Sequence, residues 1–268
     1  MGKFDGIMIV CDCDGTLLNA QREIPERNID AIRHFTGNGG KFVIATGRPK
    51  NGALHILEKL PSSSPSVFFN GALIYDTHTE TTLHADVVDV DTTEVMEQIC
   101  SRFPAEVGVE AFTVDEAFAV QDHPVTRYHF EILHEPFRLV EPKDVPVGGV
   151  LKLFVTGKYD DIKAVQAYLQ ELYPGALNVV PSGKEFLEIF SPRSNKGEAL
   201  AVLRQKFPEI HTFCAVGDGY NDMPMLETAD RTFVPANGVD AAKACGVTVC
   251  SCDEGALADV IRILENEA

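Results

Sequence analysis

Two aspartates separated by one residue follow an apolar run near the start of the chain. The run at 7–11, Ile-Met-Ile-Val-Cys, leads into Asp12-Cys13-Asp14-Gly15-Thr16. Consecutive apolar residues, some of them β-branched, are typical of a buried strand in a parallel sheet, and such sheets bind ligands beyond the carboxyl ends of their strands. A buried carboxylate needs a compensating charge. The stretch therefore predicts a metal-assisted carboxylate site at the end of the first strand.

Further polar residues follow other predicted strands. Thr46 ends the second predicted strand, Asp218 and Asp222 follow a later one, and Lys196 opens the helix before that later strand. Because parallel strands end at the same edge of a sheet, we expect these groups to meet the two aspartates of the first strand. Mg²⁺ prefers hard oxygen ligands and keeps several of its waters. The set therefore favours phosphoryl transfer assisted by Mg²⁺.

The order of predicted elements indicates what positions these residues. Up to residue 71 the chain reads strand, helix, strand, helix, strand with short connections, which is typical of a doubly wound parallel sheet. A hairpin follows, and the next hundred or so residues read helix, two strands, helix, strand, helix, two strands before parallel patterning resumes at Ser194. We predict an α/β fold with a Rossmann-like, doubly wound parallel-sheet core at 1–86 and 191–268 and an inserted α+β cap domain at 87–190.

Four ordered motifs resemble those of the haloacid dehalogenase (HAD) superfamily. They are Asp12-Cys13-Asp14-Gly15-Thr16, Ala45-Thr46-Gly47-Arg48-Pro49, Asn195-Lys196-Gly197 and Gly217-Asp218-Gly219-Tyr220-Asn221-Asp222. The insert lies between the second and third motifs, where that superfamily places a C2 cap, and its order of elements resembles the C2B cap of Cof-type phosphatases. The resemblance covers nearly the whole chain, although Cys13 and the stretch 191–194 depart from the usual pattern.

The resemblance implies a role for each matching residue. Asp12 resembles the nucleophile that forms an aspartyl-phosphate, and Asp14 resembles the general acid and base, with its backbone carbonyl on the metal. Thr46 and Lys196 would hold the phosphoryl oxygens. The implied metal ligands are Asp12, Asp14, Asp218 and Asp222. The implied substrate-binding residues are Thr46, Gly47, Arg48, Asn70, Gly71, Lys196 and Asn221.

Simpler structural explanations exist for several of these residues. Arg48 is equally well explained as a surface residue beside Pro49, and Asn70-Gly71 is a favourable turn pair. Asp222 would also serve as a helix cap, because aspartate is preferred there. These alternatives stay open at the level of the sequence.

The function that the resemblance implies is that of a Mg²⁺-dependent phosphatase of small phosphorylated metabolites, with sugar phosphates as the commonest substrate class. Asp14 implies hydrolysis or a mutase reaction, since dehalogenases lack this acid. The alternatives are a phosphosugar mutase of the same superfamily and a phospho-ligand-binding protein without turnover. The sequence does not indicate the substrate or the oligomeric state.

Composition restricts the partners and the compartment. The chain has 23 basic and 40 acidic residues, a formal charge of −17, which argues against nucleic acid or an anionic membrane as a partner. The start of the chain lacks the pattern of a secretory signal, and no apolar run approaches the roughly 18 residues of a membrane span. We therefore expect a cytoplasmic protein.

Cysteine and histidine spacing does not favour a second metal site. Seven cysteines, an odd number, fit a reduced chain, and we expect structural thiols rather than a zinc site, because the pairs Cys11/Cys13 and Cys250/Cys252 have one intervening residue. The histidines at 123, 129 and 134 are spaced as on a helix, but no carboxylate or cysteine pattern accompanies them. We expect no metal there.

Overall fold

The computed structural model describes residues 2–61 and 64–267, and two units are distinguished within the chain. The first unit comprises Met1–Gly47, Ala53–His84 and Asn195–Ala268, and the second comprises Arg48–Gly52 and Ala85–Ser194. In chain order the elements are β1 (Ile7–Asp12), α1 (Glu26–Gly37), β2 (Lys41–Ala45), α2 (Lys50–Leu57), β3 (Ser66–Phe68), β4 (Leu73–Asp76), β5 (Thr81–Ala85), α3 (Thr92–Arg102), β6 (Val107–Phe112), β7 (Ala117–Gln121), α4 (Pro124–Leu133), β8 (Phe137–Leu139), β9 (Lys152–Gly157), α5 (Tyr159–Leu172), β10 (Asn178–Pro181), β11 (Phe186–Phe190), α6 (Lys196–Lys206), β12 (Thr212–Val216), α7 (Met223–Thr228), β13 (Arg231–Pro235), α8 (Asp240–Lys243), β14 (Val247–Val249) and α9 (Ala256–Glu267).

The first unit is built on an eight-stranded sheet in the order β14-β13-β12-β1-β2-β3-β4-β5. Six neighbouring strands, from β14 to β3, are parallel, and β4 runs antiparallel to β3. Strand β1 lies between β12 and β2, so its carboxyl end is flanked by two other strand ends. The predicted α/β fold with a parallel sheet is confirmed.

Helices cover both faces of the parallel sheet because consecutive strand residues point to opposite sides. Ile9 and Cys11 of β1 pack with residues of α1 and α9 on one face. Met8 and Val10 pack with residues of α6 and α7 on the other. A strand buried on both faces needs an uninterrupted apolar run, and the sequence has one here.

The second unit has its own six-stranded sheet in the order β10-β11-β9-β6-β7-β8. Its strand pairs are antiparallel except for β7 and β8, which are parallel. The core on one face contains Val95 and Ile99 of α3 together with Ile162 and Val165 of α5. The short strand β8 is absent from the sequence prediction, which has no element at 137–139.

His129 of α4 has a carboxylate partner in the second unit. Its Nδ1 lies 2.7 Å from Oε2 of Glu110 on β6, and both side chains are buried. The spacing of the histidines does not indicate this partner of His129, and the absence of a metal there stays a prediction. The other two lie at the ends of α4, where His123 accepts a hydrogen bond from the N–H of Val125 and His134 has a left-handed backbone.

All seven cysteines are free thiols. Four are buried, and Cys100, Cys245 and Cys250 are half-buried. Across residues 2–61 and 64–267, no helix is both long enough and apolar enough to cross a membrane.

Candidate active site

Asp12 is the last residue of β1 and lies at the edge where the parallel strands end. In the register of the sheet, Asp12 is opposite Ala45, the last residue of β2, and Cys11 is opposite Val216, the last residue of β12. The loops that follow these two neighbouring strands, beginning at Thr46 and Gly217, therefore start beside Asp12. The carboxylate is only 5% exposed.

Three carboxylates meet at this edge. Asp12, Asp218 and Asp222 each offer one oxygen, and these three oxygens lie within 4.8 Å of one another. Asp218 and Asp222 come from the loop that follows β12. Asp14, which the sequence places with this group, is exposed, and its side chain is outside this cluster.

Lys196 supplies a positive charge in the middle of the cluster. Its ammonium contacts Oδ1 of Asp12 and donates a hydrogen bond to Oδ1 of Asp222 at 2.6 Å, and the lysine is completely buried. The residue stands at the first position of α6, whose amino end is capped by Asn195. The Asn195 side chain accepts hydrogen bonds from the N–H groups of Gly197 and Glu198 at 2.9 and 3.0 Å. The cap therefore fixes the point from which the lysine side chain starts.

Burial sets the protonation of the cluster. It raises the pKa of Asp12 to about 7, although the Lys196 ammonium acts in the opposite direction. Burial alone would lower the pKa of Lys196, but the carboxylates of Asp12 and Asp222 outweigh it and raise that pKa above its ordinary value of 10.5. Burial also raises the pKa of Asp218. For Asp12 and Asp218, desolvation therefore disfavours the charged form.

The three carboxylates of this cluster offer ligand atoms that suit a hard divalent cation. These atoms are carboxylate oxygens, the ligand class that Mg²⁺ prefers. Three carboxylates and one ammonium would leave an excess of negative charge in a buried place, which is unfavourable without a further cation. A bound divalent cation would balance it.

Asp222 organises the loop in which it lies. Its Oδ2 accepts hydrogen bonds from the backbone N–H groups of Asp218 and Gly219, each at 2.9 Å, while Oδ1 accepts from Lys196. A Cβ at Gly217 would lie 2.6 Å from the Cβ and Cγ of Asp222, so this position must be glycine for the loop to close. Asp222 thereby joins the loop after β12 to the lysine on α6.

Asp218 is held from the side of the first motif. Its Oδ1 accepts a hydrogen bond from the hydroxyl of Thr16 at 2.9 Å. Gly15 has a φ of +85°, and a Cβ there would lie 2.6 Å from Oδ2 of Asp218. Glycine is therefore required at position 15 both for its left-handed backbone and for the approach of this carboxylate.

The predicted substrate-binding residues Thr46, Gly47, Asn70 and Gly71 form a second group in the first unit. The Thr46 carbonyl accepts from the Asn70 N–H at 2.9 Å, and a Cβ at Gly47 would come within 3.1 Å of the Asn70 amide. Asn221 donates a hydrogen bond to Oδ1 of Asn70 at 3.2 Å. Asn70 therefore links the loop after β2 to the loop after β12.

The chain after β3 reaches this place through an unusual turn. Phe69, Asn70 and Gly71 have φ values of 52°, 54° and 114°. Left-handed backbone at two consecutive non-glycine residues costs free energy and is concentrated at functional sites. A Cβ at Gly71 would lie 2.2 Å from the carbonyl oxygen of Asn195, so the turn packs directly against the residue that caps the Lys196 helix. Arg48, by contrast, belongs to the second unit.

Asn237 is a neighbour of this site that the sequence analysis does not include. It lies in the loop after β13, and its Nδ2 donates a hydrogen bond to the carbonyl of Gly15 at 2.7 Å. The signal that would have found it is the one that found Asp12, namely a polar residue just beyond the carboxyl end of a predicted parallel strand.

Comparison with known proteins identifies relatives that match most of the chain. A model of the family described as haloacid dehalogenase-like hydrolase matches residues 9–261. The HMP-PP phosphatase of Escherichia coli O6:H1 is 26% identical over 87% of this chain and 85% of its own length. The chloroplastic endoribonuclease YBEY of Arabidopsis thaliana is 28% identical over 94% of this chain, which spans 45% of the length of that protein.

The fold is also found in solved structures. A haloacid dehalogenase-like hydrolase from Bacteroides thetaiotaomicron superposes with a TM-score of 0.86 and 23% sequence identity, covering 97% of this chain and 99% of that one. At this level of identity the likeness concerns the fold.

Proposed function

We propose that this chain, which belongs to the haloacid dehalogenase-like hydrolase family, is a Mg²⁺-dependent phosphatase of small phosphorylated metabolites. The observation that carries the proposal is the meeting of Asp12, Asp218 and Asp222 within 4.8 Å at the end of β1. The buried ammonium of Lys196 lies against two of these carboxylates. Phosphoryl transfer needs positioned positive charge around a nucleophile, and this arrangement can supply it.

Asp12 is the proposed nucleophile. One of its carboxylate oxygens attacks phosphorus, the bond from phosphorus to the leaving oxygen breaks, and Asp14 gives its proton to that oxygen. Asp14 then takes a proton from water, the hydroxide attacks the phosphorus of the aspartyl-phosphate, and the bond to Asp12 breaks to release inorganic phosphate. The exposed position of Asp14 supports this role, because the group must reach both the leaving oxygen and water.

Asp12 and Asp218, with the backbone carbonyl of Asp14, are the proposed holders of Mg²⁺. When bound, the ion would reduce the repulsion between the Asp12 carboxylate and the phosphate dianion. For Asp222 we propose an orienting role, since one of its oxygens accepts two backbone N–H groups and the other accepts from Lys196. In this role it keeps Lys196 charged and directed at Asp12.

Thr46, Asn70 and Lys196 are the proposed phosphoryl-binding groups. The hydrogen bond from the Asn70 N–H to the Thr46 carbonyl supports this assignment, because it joins two loops at the edge of the sheet that also carries Asp12. Gly47, Gly71 and Asn221 shape the same loops. Arg48 stays a candidate contact for the substrate.

Sugar phosphates are the proposed substrate class, and the residues that choose among them are proposed to lie in the predicted cap at 87–190. The compound HMP-PP is included in the substrate panel because phosphatases named for it are 26% identical to this chain. Release of inorganic phosphate from hexose phosphates, HMP-PP and other phosphorylated metabolites would identify the preferred substrate.

The deciding experiment measures hydrolysis of 4-nitrophenyl phosphate with Mg²⁺ and with EDTA. We expect turnover that EDTA removes and that Asp12→Asn abolishes. Asp240→Asn is the matched control, since the Asp240 side chain is fully exposed at the start of α8. Metal-independent turnover, or an active Asp12→Asn enzyme, would refute the proposal. Isomerisation of a hexose phosphate without phosphate release would favour a mutase, and tight binding without turnover would favour a binding protein.

A further inference from the structure

The side-chain amide of Asn237 joins two loops at the edge of the sheet that carries Asp12. Its Nδ2 donates a hydrogen bond to the carbonyl of Gly15 at 2.7 Å, and its Oδ1 accepts one from the N–H of Cys252 at 2.9 Å. The two partners fix the orientation of the amide, because a carbonyl can only accept and a backbone N–H can only donate. Asn237 therefore ties the loop after β1 to the segment after β14.

The carbonyl that Asn237 holds belongs to a closely packed peptide. Gly15 has a left-handed backbone and lies so near Asp218 that a Cβ would be 2.6 Å from its carboxylate. The next residue, Thr16, donates its hydroxyl to the same carboxylate at 2.9 Å. The Gly15–Thr16 peptide, one residue beyond Asp14, thus has little freedom on the side of Asp218, and the Asn237 amide restrains it from another direction.

The loop that carries Asn237 also holds Asp218 by its backbone. The N–H of Val239 donates to the Asp218 carbonyl at 2.9 Å, and a Cβ at Gly238 would lie 3.3 Å from the Cα of Asp218. The segment 237–239 therefore has two separate tasks. Its backbone positions the loop after β12, and the Asn237 side chain positions the loop after β1.

We infer, on the basis of the phosphatase function proposed above, that Asn237 is a positioning residue for Asp14. By holding the Gly15 carbonyl it fixes the Gly15–Thr16 peptide, one residue beyond Asp14, and so restrains the turn that directs the Asp14 carboxyl group at the leaving oxygen. Loss of this hydrogen bond leaves Asp12, Lys196 and the carboxylate cluster in place. The first chemical step then proceeds with poor proton donation to the leaving group.

This role makes a prediction that depends on the leaving group. A phenolate carrying a nitro group leaves without needing a proton, whereas unsubstituted phenolate leaves slowly unless an acid protonates it. The kinetic constant kcat/KM reports the steps up to departure of this group. A misplaced acid should therefore lower kcat/KM for phenyl phosphate far more than for 4-nitrophenyl phosphate.

Asn237→Asp is the decisive variant. It keeps the size of the side chain and the oxygen that accepts from Cys252, but it replaces the donor to Gly15 by a second oxygen. We expect kcat/KM for phenyl phosphate to fall about tenfold or more, a part of the roughly 10²- to 10⁴-fold contribution of general acid catalysis, with little change for 4-nitrophenyl phosphate. Asn237→Ala should show the same selectivity, and Asp14→Asn should show it more strongly.

Asn19→Asp is the matched control. The Asn19 side chain accepts hydrogen bonds from the N–H groups of Gln21 and Glu23 through its Oδ1, which an aspartate also provides. We expect this variant to behave as wild type on both phosphates. Thermal unfolding should show that Asn237→Asp is folded at the assay temperature, and both phosphates are assayed at saturating Mg²⁺ so that a change in Mg²⁺ affinity does not enter the comparison.

Two results would overturn the inference while leaving the phosphatase function standing. The first is an Asn237→Asp enzyme with wild-type kcat/KM on both phosphates. The second is an equal loss of kcat/KM on both, which would indicate a general structural role of Asn237. If the wild-type enzyme hydrolyses neither phosphate, the proposed function itself fails and the inference fails with it.

Discussion

The ammonium of Lys196 donates a hydrogen bond to Oδ1 of Asp222 at 2.6 Å, and both side chains are almost completely shielded from water. The same ammonium contacts Asp12. In a buried ion pair, removal of one partner leaves the other charge uncompensated. Lys196 therefore stabilises the fold, in addition to its proposed role of holding the phosphoryl group.

Lys196→Ala should destabilise the metal-free protein by about 3–5 kcal/mol, as expected when one partner of a buried ion pair is removed. Added Mg²⁺ should recover part of the loss, because it can compensate the same carboxylates. Urea unfolding with and without Mg²⁺ measures both effects. The control is Lys243→Ala, whose Nζ is 3.9 Å from the exposed Asp240 and whose loss should cost about 1 kcal/mol or less. Equal losses in the two variants would contradict the buried ion pair.

Asp218→Asn should weaken Mg²⁺ binding without removing the hydrogen bond from Thr16, since an amide oxygen still accepts. We expect a loss of affinity larger than the roughly 10- to 100-fold typical of an outer partner of a metal ligand. Titration calorimetry and the Mg²⁺ dependence of activity check this independently. Asp240→Asn removes an exposed carboxylate from the same unit and should leave Mg²⁺ binding unchanged. Wild-type affinity in Asp218→Asn would remove Asp218 from the proposed ligands.

Gly71→Ala should both destabilise the protein and reduce activity. An alanine there must adopt a left-handed backbone, which costs about 1–2 kcal/mol, and its Cβ would lie 2.2 Å from the Asn195 carbonyl. The start of α6, and with it Lys196, would have to move. Gly148→Ala separates the two effects, because Gly148 also has a positive φ but no atom within 4 Å of the added Cβ. Equal unfolding free energies for the two variants would show that the contact is unimportant.

Glu110→Gln should change how stability depends on pH. Burial raises the pKa of Glu110 above its ordinary value of 4.5, and the hydrogen bond with His129 opposes this only in part. The contribution of Glu110 to the free energy of unfolding is complete below the pKa of this group in the unfolded chain. It is lost as the pH rises through the higher pKa of the folded state. The unfolding free energy of wild type minus that of Glu110→Gln should therefore fall as the pH rises above 4.5.

Urea unfolding at a series of pH values measures this difference. Glu131→Gln, an exposed position on α4, is the control and should follow wild type at every pH. Parallel curves for wild type and Glu110→Gln would mean that the carboxyl group titrates alike in the folded and unfolded states.

Local pattern was sufficient for the elements that carry the predicted site. Lys196 is the first residue of α6, and Asp218 and Asp222 follow β12, as the sequence predicts. Continuous apolar runs and an asparagine cap are signals contained within a few residues. The rule that parallel strands end at one edge then predicts that Asp12, Asp218 and Asp222 lie together, and their oxygens lie within 4.8 Å of one another.

Features that depend on distant partners were missed. Strand β8 is three exposed residues long, and it is ordered by pairing with β7 rather than by its own apolar pattern. On its apolar pattern alone α2 would extend to about Leu60, but the helix ends at Leu57, and the chain tightens into turns before Pro61. The contact of His129 with Glu110 has no local signature, because it joins segments that no periodicity relates.

The pairing of Ile7 with Thr212 also determines the order in which the chain can complete its first sheet. During synthesis on the ribosome, β1 and β2 emerge early and can pair with each other, but the far edge of β1 has no neighbour until β12 is made. Nearly the whole second unit is translated in that interval as one continuous segment. The nascent protein must therefore keep an apolar strand edge from pairing with other chains while the second unit folds.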